Sequence, residues 1–381
     1  MKKLALVLGS LLVVGSVATA KEIIPAPAPA PEKMVEYVEK PVIVYRDREV
    51  APAWRPNGSV DIQYRWYGKV EDKVPKLEKG NGPNTHYSPA DKDASSWATG
   101  KVNAGRLQTI TKINFTEKQA LEIRTRNYQT LNGNARSRGA ADEIRVRHFY
   151  NLGNFDKVAA TSRLEFNQKS NDGAKTLGAS VLFDFADYIP SNNYFKVDKL
   201  GLRPGYKHKW SGHENNDSIV NEYHLAFESD FTLPLNFALN LEYDLSYNRL
   251  RPGNRYKTLD GNKKGEWYGE LTAVLSNHTP LYKTGAFELA LNVEGGYDTY
   301  NMHQYKRAGG TGTAGLDSTA TDRRDYELYL EPTLQVSYKP TDFVKLYAAA
   351  GADYRNRVTN ESEVKRWRWQ PTAWAGMKVT F

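Results

Sequence analysis

The sequence predicts an all-β chain: a transmembrane antiparallel up-and-down barrel of fourteen strands, sixteen being the alternative count, behind an N-terminal extension. Three observations carry that expectation. From Ser59 onward, apolar and polar residues alternate almost without interruption, the period of a strand with two different faces. The alternating segments run to about 9–14 residues, near what a tilted strand needs to cross a bilayer and well beyond the roughly 5–6 residues of soluble strands. The connections between them alternate between long and short, as they do in outer-membrane barrels.

Composition agrees. The 381 residues include 24 Tyr and 8 Trp, and this aromatic content favours strands. A charged fraction of 25% and a mean hydropathy of −0.64 exclude a helical membrane protein. After residue 20 no apolar run approaches the ~18 residues that a spanning helix needs. The chain has no cysteine, so its stability must come from something other than disulfides, and a closed hydrogen-bonded barrel supplies it. The net charge of +8 falls to +6 once Lys2 and Lys3 are removed. The charges are dispersed, which together with export argues against a nucleic-acid partner.

Residues 1–20 read as a cleaved secretory signal peptide. Met1-Lys2-Lys3 is its basic start, Leu4 to Val17 its apolar stretch and Ala18-Thr19-Ala20 its cleavage site. Residues 21–56 form a periplasmic Pro-rich tether, with PAPAPAP at 25–31 as an extended spacer. Met34, Val35, Tyr37 and Val38 could alternatively form one helical face of a small contact between subunits. Residues 57–381 form the barrel.

Its fourteen segments are 58–69, 104–115, 120–130, 142–150, 158–168, 178–188, 196–209, 219–231, 236–248, 265–276, 286–298, 325–338, 343–355 and 366–381. In the first, Val60, Ile62, Tyr64 and Trp66 face one way and Asp61, Gln63 and Arg65 the other. The long connections, 70–103, 131–141, 249–264 and 299–324, are rich in Gly, Asn, Asp and Lys. TEKQ at 116–119 and KPTD at 339–342 are among the short ones. Aromatic residues gather at strand ends, among them Trp66, Tyr188, Phe231, Tyr247, Trp267, Tyr338, Tyr354 and Trp369, as two interfacial girdles require. The last segment ends on Phe381, which closes the sheet against the first strand. Many outer-membrane proteins end on an aromatic residue that the barrel-insertion machinery reads, and this chain resembles them.

If the apolar faces meet lipid, the opposite faces line a lumen. The expected basic lining is Arg65, Arg106, Lys112, Arg124, Arg126, Arg145, Arg147, Arg163, Arg203, Lys207, Arg355, Arg366 and Arg368. The expected acidic lining is Glu222, Glu228, Glu242, Asp244, Glu266, Glu270, Glu288, Glu294, Asp298, Glu327 and Glu331. Closing the barrel sets the two groups on opposed arcs, with Asp61, Glu122, Glu143, Glu165 and Asp353 as acidic exceptions on the basic side. Walls of charge are how pores tune selectivity. Fourteen strands give an interior between those of packed eight-stranded and sixteen-stranded barrels. Passage of ions and small hydrophilic solutes follows as the expected function. The alternative is a surface adhesin, with the barrel as anchor and the long loops as binding surface.

Enzymatic signals are weak. GTGTAG at 310–315 matches a dinucleotide pattern but sits in a Gly/Ala/Thr loop without a βαβ context. The seven His are scattered, with no metal-ligand spacing, and no nucleophile elbow occurs. No enzyme, cofactor or metal is expected.

The signal peptide, KEIIPAPAPAPEK, and EYVEKPVIVYRDREVAPAWRPNGSVDIQYRWYG together resemble the start of the fusobacterial major outer-membrane porin family (FomA-like). The resemblance is most specific across residues 1–68. It implies a voltage-gated general diffusion porin, trimeric, that also serves as a surface antigen and adhesin toward host or bacterial surface proteins.

Overall fold

The computed structural model describes residues 54–71, 103–131, 142–170, 174–192, 194–210, 220–306, 323–358 and 367–381. The expected signal peptide, almost all of the tether and the GTGTAG stretch lie outside them.

Fourteen strands close into one antiparallel barrel, each paired with its neighbours along the chain. They are β1 (Asn57–Tyr67), β2 (Ala104–Asn114), β3 (Gln119–Thr130), β4 (Glu143–Phe155), β5 (Val158–Lys169), β6 (Lys175–Asp184), β7 (Lys196–Trp210), β8 (Val220–Leu233) and β9 (Phe237–Leu250). Then come β12 (Gly265–Thr284), β13 (Phe287–His303), β14 (Arg324–Thr341), β15 (Val344–Val358) and β16 (Arg368–Thr380). The barrel count is fourteen and not the alternative sixteen. Two further short strands, β10 (Tyr256–Thr258) and β11 (Gly261–Lys263), pair only with each other, inside the connection from β9 to β12.

Closure is made by β1 against β16, in register from Ser59 opposite Thr380 to Tyr67 opposite Thr372. Gly58 and Phe381 extend this ladder: the Gly58 N–H donates to the Phe381 carbonyl at 2.9 Å, and the Phe381 N–H donates back at 3.0 Å. The aromatic terminus is therefore part of the seam that removes the sheet's free edges.

The turns at one end of the barrel are tight. Asp156-Lys157 joins β4 to β5, with Asp156 in the left-handed region at φ 57° that a two-residue hairpin turn demands. Gly285-Ala286 joins β12 to β13, with Gly285 at φ 52°.

Several strand boundaries differ from expectation, among them that of β4, which runs to Phe155 rather than 150. The sixth strand ends at Asp184, not near 188; Ala186–Tyr188 forms a 3-10 turn. The Asp184 carboxylate accepts the N–H groups of Ala186 and Leu200, each at 3.0 Å, and so turns the chain. β12 runs to Thr284 rather than 276, and β13 to His303 rather than 298. β12 contains Pro280, which cannot donate to a ladder. β12 pairs with β9 only as far as Asn277, so Pro280 lies where one side of the strand is already unpaired.

The barrel is inverted relative to a soluble protein. Its buried set is dominated by polar and charged side chains, including Arg106, Arg124, Arg126, Glu222, Glu266, Asp353 and Arg355. Its exposed set is rich in Leu, Ile, Tyr and Trp, including Ile62, Leu164, Leu177, Leu225, Leu275, Leu334 and Leu346. Aromatic clusters mark both ends of the outer face. Tyr354 stacks on Trp369 at 4.3 Å between ring centroids and Tyr300 on Tyr326 at 5.7 Å at the end carrying long connections. Phe195 stacks on Phe231 at 5.4 Å at the end with tight turns.

Candidate pore lining

Strand register fixes which residues share the interior. Across β1 to β5, directly opposed residues include Arg65 and Arg106, Gln108 and Arg126, Arg124 and Arg145, and Arg147 and Glu165. Across β7 to β9, Lys207 opposes Glu222, and Glu228 opposes Glu242. Farther round, Glu270 opposes Asp244, Glu294 opposes Glu331, and Tyr329 opposes Arg355. Thr272, Ser276, Thr333 and Gln335 complete the same polar face between β9 and β14. The register thus sets Arg65, Arg106, Arg124, Arg126, Arg145, Arg147, Lys207, Glu222, Glu228, Glu242, Asp244, Glu270, Glu294, Glu331 and Arg355 of the expected residues in directly opposed cross-strand positions. Arg366 lies outside the described residues.

The interior side chains make contacts with one another, several of them between strands that are not neighbours in the sheet. Arg65 on β1 donates to Glu331 on β14 at 2.5 Å and to Thr372 on β16 at 2.9 Å. Its guanidinium stands 4.7 Å from the Trp374 ring centroid and 5.0 Å from that of Tyr67. Arg355 on β15 donates to Asp298 on β13 at 2.8 Å, to Glu327 at 2.6 Å and to Asp353 at 3.1 Å. Tyr347 on β15 donates to Asp61 on β1 at 2.6 Å. Lys207 on β7 lies 3.8 Å from Asp244 on β9.

The basic arc carries its own anions. Arg124 donates to Glu143 at 2.8 Å, and Arg126 lies 3.5 Å from the same carboxylate. Arg145 donates to Glu122 at 2.8 Å, with Lys112 at 3.8 Å from Glu122, and Arg147 pairs with Glu165. Glu122, Glu143 and Glu165 thus tie these arginines into a lattice and offset part of the positive charge of that wall. The acidic arc is built differently. Most of the cations that pair with it stand on its flanks, Lys199, Arg203, Lys207 and Lys209 on β7, Arg355 on β15 and Arg65 on β1, while Lys283 on β12 lies 4.0 Å from Glu288. Glu242 and Glu270 stand on the strands between those flanks.

Asp353 and His224 are interior residues that alternation alone leaves without a role. Asp353 is 2% exposed and orients Arg355. His224 opposes Ser246 and Gly205 within the charged wall. Their significance lies in cross-strand register, which residue spacing within one segment does not reveal. Among the described residues no cluster of His, Asp and Glu has the arrangement of a metal site.

No family model matches the sequence, and no curated protein matches it. Solved barrels match in shape alone. A NanC porin aligns over 84% of this chain and 100% of its own, at 9% identity and a TM-score of 0.34. The outer-membrane channel DcaP of Acinetobacter baumannii aligns over 86% of this chain and 96% of its own, at 11% identity and a TM-score of 0.32. A bacterial polysaccharide outer-membrane secretin aligns over 85% of this chain and 98% of its own, at 10% identity and a TM-score of 0.38. At this level of similarity they carry no functional argument.

Proposed function

We propose that the chain is an outer-membrane porin, exported by residues 1–20 and passing ions and small hydrophilic solutes through a weakly selective, water-filled lumen. One observation carries the reading: a closed barrel with a charged interior and an apolar outer surface. In water, that outer surface would be an aggregation hazard far larger than soluble monomers tolerate. In a bilayer it is the required surface, because closure leaves no backbone group unpaired toward lipid. The aromatic clusters at both ends fit the two headgroup regions. The charged interior needs hydration, and the two arcs give it a transverse field that favours polar solutes.

The resemblance of residues 1–68 to the fusobacterial porins supports the same reading and adds voltage gating and trimerisation to it. The inward aromatics Tyr67, Tyr128, Tyr268, Tyr329, Tyr347 and Trp374 are spread over six strands. Their distribution over several strands supports a general pore over a dedicated substrate channel. Liposome swelling tests this. Vesicles carrying the refolded mature chain should swell in small neutral sugars at rates that fall with sugar size. Protease-protected, inserted barrels that give no swelling with any sugar would rule the pore out and leave the long loops as the functional surface.

A further inference from the structure

One row of interior side chains differs from the lattice around it. Register aligns Arg163, Ser180, Gly205 and His224 across β5, β6, β7 and β8. The two central residues are small and leave room beside the outer two. A Cβ on Gly205 would stand 2.4 Å from His224 Cε1, 2.5 Å from its Nε2 and 2.7 Å from Ser180 Cβ. The imidazole therefore rests directly on the Gly205 backbone.

The donors of this row have no acceptor. Arg163 makes no hydrogen bond or ion pair among the described residues, unlike its neighbours Arg147, which holds Glu165, and Arg203, which holds Glu228. Its electrostatic surroundings are those same groups: Arg203 and Arg147 on one side of the balance, Glu165 and Glu228 on the other. Because each of those carboxylates already has a cation, Arg163 is a positive charge in excess. Arg203 is 5% exposed and uses Nε and Nη2 on Glu228 at 2.6 and 3.1 Å, which leaves its Nη1 without a partner. His224 is 7% exposed, and neither ring nitrogen has a hydrogen-bond partner. Glu222 stands 3.8 Å from its Nδ1 and is engaged by Lys207 at 2.7 Å.

We propose that Arg163, Ser180, Arg203 and His224 form an oxyanion-binding site on the lumen wall, taking solutes that carry a phosphate group. A guanidinium fork, a hydroxyl and two further buried donors present the planar and multipoint contacts that phosphate accepts and chloride cannot use. The neighbouring Glu165, Glu222 and Glu228 keep the local charge low, so binding is weak and reversible. A pore needs that balance, since a site must be favourable enough to fill and loose enough to empty. The assignment of a transport role to this site rests on the porin reading.

The test is calorimetric titration of inorganic phosphate into the refolded mature chain in detergent, against a chloride background. Saturable binding should appear, weakened about tenfold or more in Arg163→Gln, the scale expected for losing one charged hydrogen-bonding partner. Lys157→Gln, which removes a cation from a turn at the barrel end, should leave it unchanged. No saturable binding to the native chain, or equal affinity in Arg163→Gln, overturns the proposal. Should Arg163→Gln fail to refold, Ser180→Ala and His224→Gln probe the same row: weakening in either supports the site, and unchanged affinity in both overturns it. Planar-bilayer conductance separates the two readings. A barrel that binds phosphate but carries no current keeps the site and loses the pore. A conducting barrel without saturable phosphate binding keeps the pore and loses the site.

Discussion

Arg65 and Glu331 meet at 2.5 Å across the inside of the barrel although two strands, β15 and β16, separate their own. Both side chains are largely withdrawn from solvent, at 9% and 7% exposure. Removing one partner leaves the other as an uncompensated charge, which costs about 3–5 kcal/mol at a buried site, whereas replacing both by apolar residues costs far less. Glu331→Gln should therefore lower the urea midpoint of folding in lipid vesicles much more than the pair Arg65→Met with Glu331→Met. Additive losses in the double-mutant cycle would show that the two residues do not act together.

The lattice of the basic arc predicts the sign of selectivity changes. Glu143 neutralises both Arg124 and Arg126. Glu143→Gln should move the reversal potential under a KCl gradient toward anion preference. Glu242→Gln, on the opposite wall, should move it the same way by removing an anion from the cation path. Arg124→Gln should move it the other way. Each shift should shrink between 0.1 M and 1 M KCl, as the screening length falls from about 10 Å to about 3 Å.

Leu334 tests the orientation of the strands. It is 52% exposed on the outer face of β14, opposite Leu291 and Ala350, while the next residue, Gln335, faces the interior. Leu334→Arg should destabilise the inserted barrel by about 2–4 kcal/mol, the scale for a cation at the bilayer midplane. Gln335→Arg should cost little and alter conductance instead. Equal costs at the two positions, read from vesicle unfolding curves, would contradict the assignment of faces.

Closure depends on a residue without a side chain. A Cβ on Gly58 would stand 2.1 Å from the Lys112 carbonyl oxygen and 3.0 Å from the Phe381 ring. Gly58→Val should force β2 away from the start of β1 at the Lys112 carbonyl and crowd the Phe381 ring beside it, and so abolish the heat-modifiable gel migration of a closed barrel. Retention of that migration at native yield would mean that the seam tolerates displacement there.

Much of this architecture is written in the sequence because a strand has a period of two and its faces meet opposite solvents. The alternation of Val60, Ile62 and Tyr64 with Asp61, Gln63 and Arg65 fixes their faces without any partner. The sorting of arginines toward β2–β5 and carboxylates toward β8–β14 survives closure for the same reason. What alternation cannot encode is the offset between strands. The meeting of Arg65 with Glu331 depends on barrel curvature, and the row from Arg163 to His224 on the register of four strands together. Pro280 is tolerated within β12 for a related reason: its missing N–H matters only where a partner strand would accept it, and β9 stops short of it.

The central claim is that the charged interior is a continuous aqueous path, and single-channel recording of the refolded mature chain in a planar bilayer tests it most directly. The account predicts discrete conductance steps that scale with KCl concentration. Inserted, heat-modifiable barrels that give no steps at any salt concentration would contradict it.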